Sequence, residues 1–183
     1  MENKILAINC SPRKGNNYTL LETIPNDKAE IVNLYDYDIK SCEGCGLCKD
    51  LKKCKIDDQF MELIEKIKHF DRVIFATPVY RLNMPSRVYA FIERTSALLL
   101  NNENFEGKIC GIVCIGRITG NGKIQVLNTL TDFLFSMGCI VLSPIVIGNA
   151  HKIGEIKNDP IAELSFKGLV ERLLNIKISF NKK

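Results

Sequence analysis

The sequence predicts a three-layer α/β domain built on a parallel, five-stranded sheet. Two observations point there. Short apolar runs recur along the chain, too continuous for strands wetted on one face. Between them lie segments whose apolar residues fall at helical intervals. Strands separated by helices run parallel and are covered on both faces. The composition agrees. A chain of 183 residues, 46% hydrophobic, with 12 Gly and 6 Pro, suits one domain with its own core and excludes disordered and collagen-like classes.

Lys4 to Asn9 is the first buried strand, and Cys10 to Asn17 is a breaker-rich loop. Thr19-Leu-Leu-Glu22 has the spacing of a capping box and predicts a short helix. Ala29 to Leu34 is a second strand, followed by a polar loop to Lys55 that carries four cysteines. Asp57-Asp58 caps a helix whose Phe60, Leu63, Ile64 and Ile67 share one face. Arg72 to Ala76 is the third strand, and Ser86 to Leu100 reads as one helix containing Glu93-Arg94, a packing or ion-pair position. Lys108 to Ile115 is the fourth strand and Lys123 to Met137 the next helix. Ile140 to Ile147 is the fifth strand, with Pro144 implying an edge or a bulge. Asp159-Pro160 opens a last helix, ending near Asn175.

No apolar run approaches the roughly 18 residues of a membrane span, and Met1 to Lys4 lead into a strand rather than a signal peptide. A cytoplasmic protein is expected, in which eight cysteines are ligands or core residues rather than disulfides. The net charge of +4 is too mild to demand nucleic acid.

Parallel sheets bind ligands at the carboxyl ends of their strands, which singles out three loops. In the first, Ser11, Arg13, Asn16, Asn17 and Thr19 offer donors to a phosphate at a helix start; the same residues also suit an ordinary polar turn. In the second, Thr77 to Ser86, Tyr80 and Met84 offer surfaces for a planar ring. In the third, Gly116, Gly120 and Gly122 let a backbone approach a ligand or serve turns of positive φ. Neither a Walker loop nor a G-x-G-x-x-G fingerprint is present.

The sharpest signal is Cys42, Cys45, Cys48 and Cys54, spaced C-x2-C-x2-C-x5-C. This compact run suits a [4Fe–4S] cluster better than zinc, whose ligand pairs are usually split by a longer spacer. A set of free thiols is the remaining reading. Lys49, Lys52, Lys53 and Lys55 surround the run, either to balance an anionic centre or as a solvated basic loop. Cys10, Cys110, Cys114 and Cys139 fall in or beside strands and read as core, and His69 and His151 as surface residues.

Taken together, Asn9 to Thr19, the cysteine run, Lys55 to Asp58, Ala76-Thr-Pro-Val-Tyr80, Phe91 to Arg94, Gly107-Lys108 and the glycine loop resemble the NAD(P)H-dependent FMN reductases of the flavodoxin-like superfamily, and within them the iron–sulfur flavoproteins. The resemblance implies a flavodoxin-like sheet of order 2-1-3-4-5 spanning residues 1–183, with the cysteine loop inserted at about 36–57. It implies FMN at the strand ends. Ser11, Arg13, Asn17 and Thr19 match the phosphate loop, with Asn16 a second candidate for its asparagine. Pro78, Val79 and Tyr80 match the segment along the flavin ring, extended here to Arg81 and Asn83. Residues 116–122, including Arg117, match the third flavin loop, and the four cysteines match cluster ligands. A homodimer or homotetramer is implied, as is an electron donor that is NAD(P)H or a ferredoxin-like protein, with a small-molecule acceptor.

The function this implies is FMN-dependent oxidoreduction, with no side-chain catalytic acid or base assigned, since the redox chemistry belongs to the cofactor. A flavin-binding or thiol redox-sensing module without turnover is the alternative. A non-flavin phosphate-binding protein is a third possibility.

Overall fold

The computed structural model describes residues 4–117 and 122–177. Five strands follow the sequence expectation closely: β1 (Ile5–Asn9), β2 (Ala29–Asn33), β3 (Arg72–Pro78), β4 (Ile109–Gly116) and a fifth that is split. Residues 140–147 do not form one strand. They form β5 (Ile140–Val141) and β6 (Val146–Asn149), with Pro144 between them. Proline has no N–H for the ladder, so pairing stops and resumes, and both pieces run parallel to β4. The order is β2-β1-β3-β4-β5 with every pairing parallel.

Alternate residues of the strands feed two separate cores. Leu6, Ile8, Val73, Phe75, Cys110 and Ile112 pack on one face, against α3 (Phe60–Lys68), α4 (Ser86–Arg94) and α6 (Gly122–Ser136). Phe75, Phe91 and Phe133 meet there at centroid separations of 6.0–6.4 Å. Ile5, Ala7, Ile74, Ile109 and Val113 face the other way, against α1 (Asn16–Leu21) and α7 (Pro160–Asn175). Cys10, Cys110, Cys114 and Cys139 are all buried. Among the described residues no helix is long and apolar enough to cross a membrane.

Two helix expectations need correction. The first helix begins at Asn16 after Gly15, so Thr19 lies inside it and caps nothing. Its N–H donates to the Gly15 carbonyl as an ordinary helical bond. The helix expected over 86–100 is two pieces, α4 and α5 (Ser96–Leu99), separated by Thr95. The Thr95 hydroxyl donates to the Ile92 carbonyl at 2.6 Å, a side-chain bond that competes with the helical ladder. The last helix starts as expected, with the Asp159 carboxylate accepting from the Ala162 N–H at 3.0 Å and Pro160 in the first turn. The cysteine loop contains a single turn, α2 (Cys48–Leu51).

Among the described residues Arg94 is the largest fully buried side chain. Its guanidinium meets the Asp58 carboxylate in two bonds, 2.7 and 3.1 Å, with both side chains 1% exposed. It also donates to the Lys40 carbonyl at 3.0 Å and lies over the Phe60 ring. Asp58 in turn accepts from the N–H groups of Lys40 and Phe60. The pair therefore pins both stems of the cysteine loop to α4. Burial alone raises the Asp58 pKa, but the hydrogen bonds from Arg94, Lys40 and Phe60 outweigh it and hold the carboxyl below its ordinary value.

Asp58→Ala leaves a buried guanidinium without its counter-charge, and urea unfolding is expected to show a loss of about 3–5 kcal/mol. The pair also sets an acid limit. A carboxyl depressed in the folded state stabilises fully above its unfolded pKa of about 3.9 and loses that contribution as pH falls through the folded value. Stability measured from pH 6 downward is expected to fall more steeply in the wild type than in Asp58→Asn.

Candidate active-site cleft

The carboxyl ends of β1, β3, β4 and β6 open into a cleft of about 490 Å³, within the size range of small-molecule sites. All three loops expected to carry ligand contacts line it. Ser11, Arg13, Asn16 and Asn17 come from the first, Pro78 to Leu82 from the second, and Gly116, Arg117 and Gly122 from the third. Gly15, Ile115, Lys123, Ala150 and His151 also line it. Thr19 and Asn83 lie outside the lining. Gly120 lies outside the described residues.

The first loop is shaped by Asn9, a buried polar residue that ends β1. Its carboxamide oxygen accepts from the Ser11 N–H at 3.3 Å, and its NH2 donates to Asn33 Oδ1 at 3.0 Å and toward the carbonyls of Ser11 and Arg13. The Ser11 hydroxyl accepts from the Arg13 N–H at 3.3 Å, which leaves its proton free for an acceptor in the cleft. The two adjacent asparagines differ sharply. Asn16 has both amide ends committed, donating to the Lys152 carbonyl at 2.9 Å and accepting from the Ile156 N–H at 3.3 Å. Asn17 is buried, and its Oδ1 has no hydrogen-bond partner.

The second loop is a tight turn. Tyr80 and Asn83 exchange backbone hydrogen bonds of 2.7 and 3.0 Å, and Arg81 and Leu82 between them both have positive φ, 46° and 70°. Such turns favour Asn-Gly because left-handed backbone strains other residues. Here two bulky residues hold that conformation beside the cleft. Asn83 also accepts from the Tyr89 hydroxyl, which ties it to the turn. Met84, expected against a planar ring, is 4% exposed and packs in the core with Val88 and Phe91 instead. Val79, Tyr80, Leu82 and Ile115 supply the apolar surface of the cleft.

The glycines of the third loop act through close packing. A Cβ on Gly116 would lie 3.0 Å from Val79 Cγ2, and one on Gly122 would lie 2.6 Å from the Leu82 Cα. The start of α6 is thereby seated directly against the second loop. Lys123 and His151 are lining residues that sequence reasoning passed over. Lys123 follows the glycines read as close-approach or turn residues of the third loop and reads itself only as the start of a helix, and His151 reads as an ordinary surface residue.

Cys42, Cys45, Cys48 and Cys54 share one exposed loop, with Cys48 and Cys54 half-buried. Gly44 and Gly46 adopt φ of 63° and 72° between the first three, a conformation that glycine adopts without strain. Burial raises the Cys48 pKa, and Cys54, Cys45 and Cys42 raise it further as like charges, so the four sulfurs feel one another. Among the described residues no three potential ligands converge around a single point. A mononuclear zinc site would require that, holding its sulfurs about 3.8 Å apart at Zn–S distances near 2.3 Å. The donor chemistry suits a thiolate-bound centre, but the described loop does not form a closed ligand set.

A parallel α/β sheet with a polar loop after its first strand and an apolar-walled cleft at its carboxyl edge has the architecture of the doubly wound class, whose ligands bind at that edge. The chain belongs to the NADPH-dependent FMN reductase family, whose profile matches residues 3–152. It is 28% identical to an iron-sulfur flavoprotein of Archaeoglobus fulgidus over 195 residues, covering 94% of each chain. A second iron-sulfur flavoprotein of that organism is 34% identical over 172 residues, covering 90% of this chain and 77% of the relative. Among solved structures, an NAD(P)H:quinone oxidoreductase from Methanothermobacter marburgensis superposes over the whole of both chains with a TM-score of 0.71 at 14% identity. That likeness confirms the flavodoxin-like fold.

Gly122→Ala tests the packing of the loops. The added methyl meets backbone rather than a flexible side chain, so it is expected to displace the Tyr80–Asn83 turn and lower stability by about 1–3 kcal/mol in thermal or urea unfolding.

Proposed function

We propose that the protein is an FMN-dependent oxidoreductase that takes its electrons from a nicotinamide nucleotide and passes them to a second substrate in the same cleft. The observation that carries this reading is the cleft itself, whose phosphate loop, apolar wall and glycine-seated third loop all fall within the segment matching the FMN reductases. Bound FMN supplies hydride acceptance and electron release in ones or twos.

The residues of the chain bind and orient. Arg13 offers a forked, permanently charged donor for a phosphate monoester, and Ser11 offers its free hydroxyl proton. Asn17, buried in the lining with an unpartnered amide oxygen, is the asparagine open to the ligand. Asn16 serves instead to tie α1 to the 152–156 segment. Pro78, Val79 and Tyr80 would flank the ring, while Gly116 and Gly122 keep the third loop close to it. Arg81 lines the cleft beside that segment, whereas Thr19 and Asn83, outside the lining, are given no contact with the cofactor.

For the cysteine loop we propose that Cys42, Cys45, Cys48 and Cys54 are the residues that would hold a [4Fe–4S] cluster. The support is their spacing and the naming of the relatives as iron-sulfur flavoproteins. An anaerobic visible spectrum with iron, sulfide and flavin quantitation tests both readings together. Flavin bands with about four iron and four sulfide per chain are expected. Flavin without iron after anaerobic reconstitution would remove the cluster alone, and a colourless protein that takes up no FMN would remove both.

Arg13→Gln is expected to weaken FMN binding by about tenfold to a hundredfold, the size of a lost charge-assisted hydrogen bond. Fluorescence titration of the apoprotein with FMN measures it. Asn17→Ala is expected to weaken binding similarly, and Asn16→Ala to weaken it less.

A further inference from the structure

We propose that the cleft contains, beside the flavin position, a subsite for an anionic group on the second substrate, formed by Arg117, Lys123 and His151. The inference rests on the FMN reading above and deepens it. The class of group is a phosphate, sulfonate or carboxylate.

The first argument is charge. Arg13, Arg81, Arg117 and Lys123 all line one cleft together with His151, and no Asp or Glu lines it. Some cations elsewhere, Lys28, Lys40, Lys55, Lys66, Lys68 and Arg94, each meet a carboxylate, and others do not. Among the described residues none of the four cleft cations does. The only acidic residue outside the described segments is Glu2. An FMN phosphate carries about −1.5 to −2 charges, which balances Arg13 and one more cation. About two positive charges remain on the loaded cleft.

The second argument is position. Arg117 follows β4 and His151 follows β6, strands paired in parallel so that Gly116 lies opposite Asn149. The Arg117 Nε donates to His151 Nδ1 at 3.0 Å, and Lys123 donates to the Asn149 side chain. Two basic groups on neighbouring strand ends are thus joined by Lys123 from the first turn of α6, which reaches the end of β6 through Asn149. The carboxylate nearest in sequence, Glu155, accepts from the backbone N–H groups of His151 and Lys152 at 2.6 and 2.8 Å. Its bonds organise the loop, and it lies outside the cleft lining. Unpaired like charges repel and focus a positive field into a cleft; a ligand anion relieves that repulsion and gains steering and orientation.

The test uses the FMN-loaded protein in steady-state turnover with two acceptors, a neutral benzoquinone and a sulfonated naphthoquinone, each with NADH and with NADPH. Expected is a kcat/KM that falls about tenfold between roughly 20 and 300 mM salt for the anionic partner and changes less than about twofold for the neutral one. The double variant Arg117→Gln, Lys123→Gln is expected to flatten that salt dependence and to lower kcat/KM for the anionic partner about tenfold or more. Loss of NADPH preference over NADH would assign the anion to the nucleotide 2′-phosphate. Loss of preference for the sulfonated quinone would assign it to the acceptor. Equal salt dependence for charged and neutral partners in the wild type overturns the proposal. So does a double variant that releases FMN, measured by fluorescence titration, without changing partner selectivity, since the cations would then serve the cofactor. Failure of the wild type to bind FMN or to reduce either acceptor sinks the FMN reading instead, and is separately visible.

Discussion

Burial of the sheet on both faces is the constraint from which the rest follows. In β1 and β4 every residue is buried, so a polar side chain along those strands would have to find its partner inside the core. Polar groups instead collect where the strands end. Asn9 closes β1 and organises the first loop, and Thr77, fully buried near the end of β3, adjoins the turn that follows. The cleft is therefore a product of the fold: loops that cannot cross either apolar layer meet above the carboxyl edge.

The fold was legible because its periodicities are strong and local. Residues 160–175 carry a helix whose cap, first-turn proline and end are all written in nearby sequence, and the structure keeps all three. The breaks were less legible. The split of the fifth strand was signalled by Pro144, but its consequence depends on how β4 continues beside it. The break at Thr95 depends on a hydroxyl choosing a backbone partner. Of the site, the three loops were legible and their inner geometry was not. The sequence shows two adjacent asparagines, and only the tertiary contact with residues 152–156 separates Asn16 from Asn17. Lys123 and His151 gave no motif, because they belong to the cleft through strand register rather than through spacing along the chain.

The cysteine loop is attached by a different logic. It contributes nothing to either apolar core beyond its stems, which Arg94 and Asp58 tie to α4, while Asn101 holds its single turn by donating to the Cys48 carbonyl at 3.1 Å. Replacing such a pair by apolar residues often costs nothing in stability. The specific role here is positional: Lys40 on one side of the loop and Asp58 on the other are held by one guanidinium. Cys54 also favours the charged form of Arg94, after Asp58. The loop is thus wired to the helix that shares a core with Phe75 and, through it, with the strand leading to the cleft.

The partition of the eight cysteines has a consequence for chemical probing. Burial raises Cys10 and Cys114 to about 12, so the reactive thiolate is scarce at either position at neutral pH. Those two, and the buried Cys110 and Cys139, are shielded from alkylating reagents while the chain stays folded. The loop cysteines are open to them. The native protein therefore carries its own internal standard: reagent uptake reports the state of the loop, and uptake beyond four equivalents reports that the sheet has come apart.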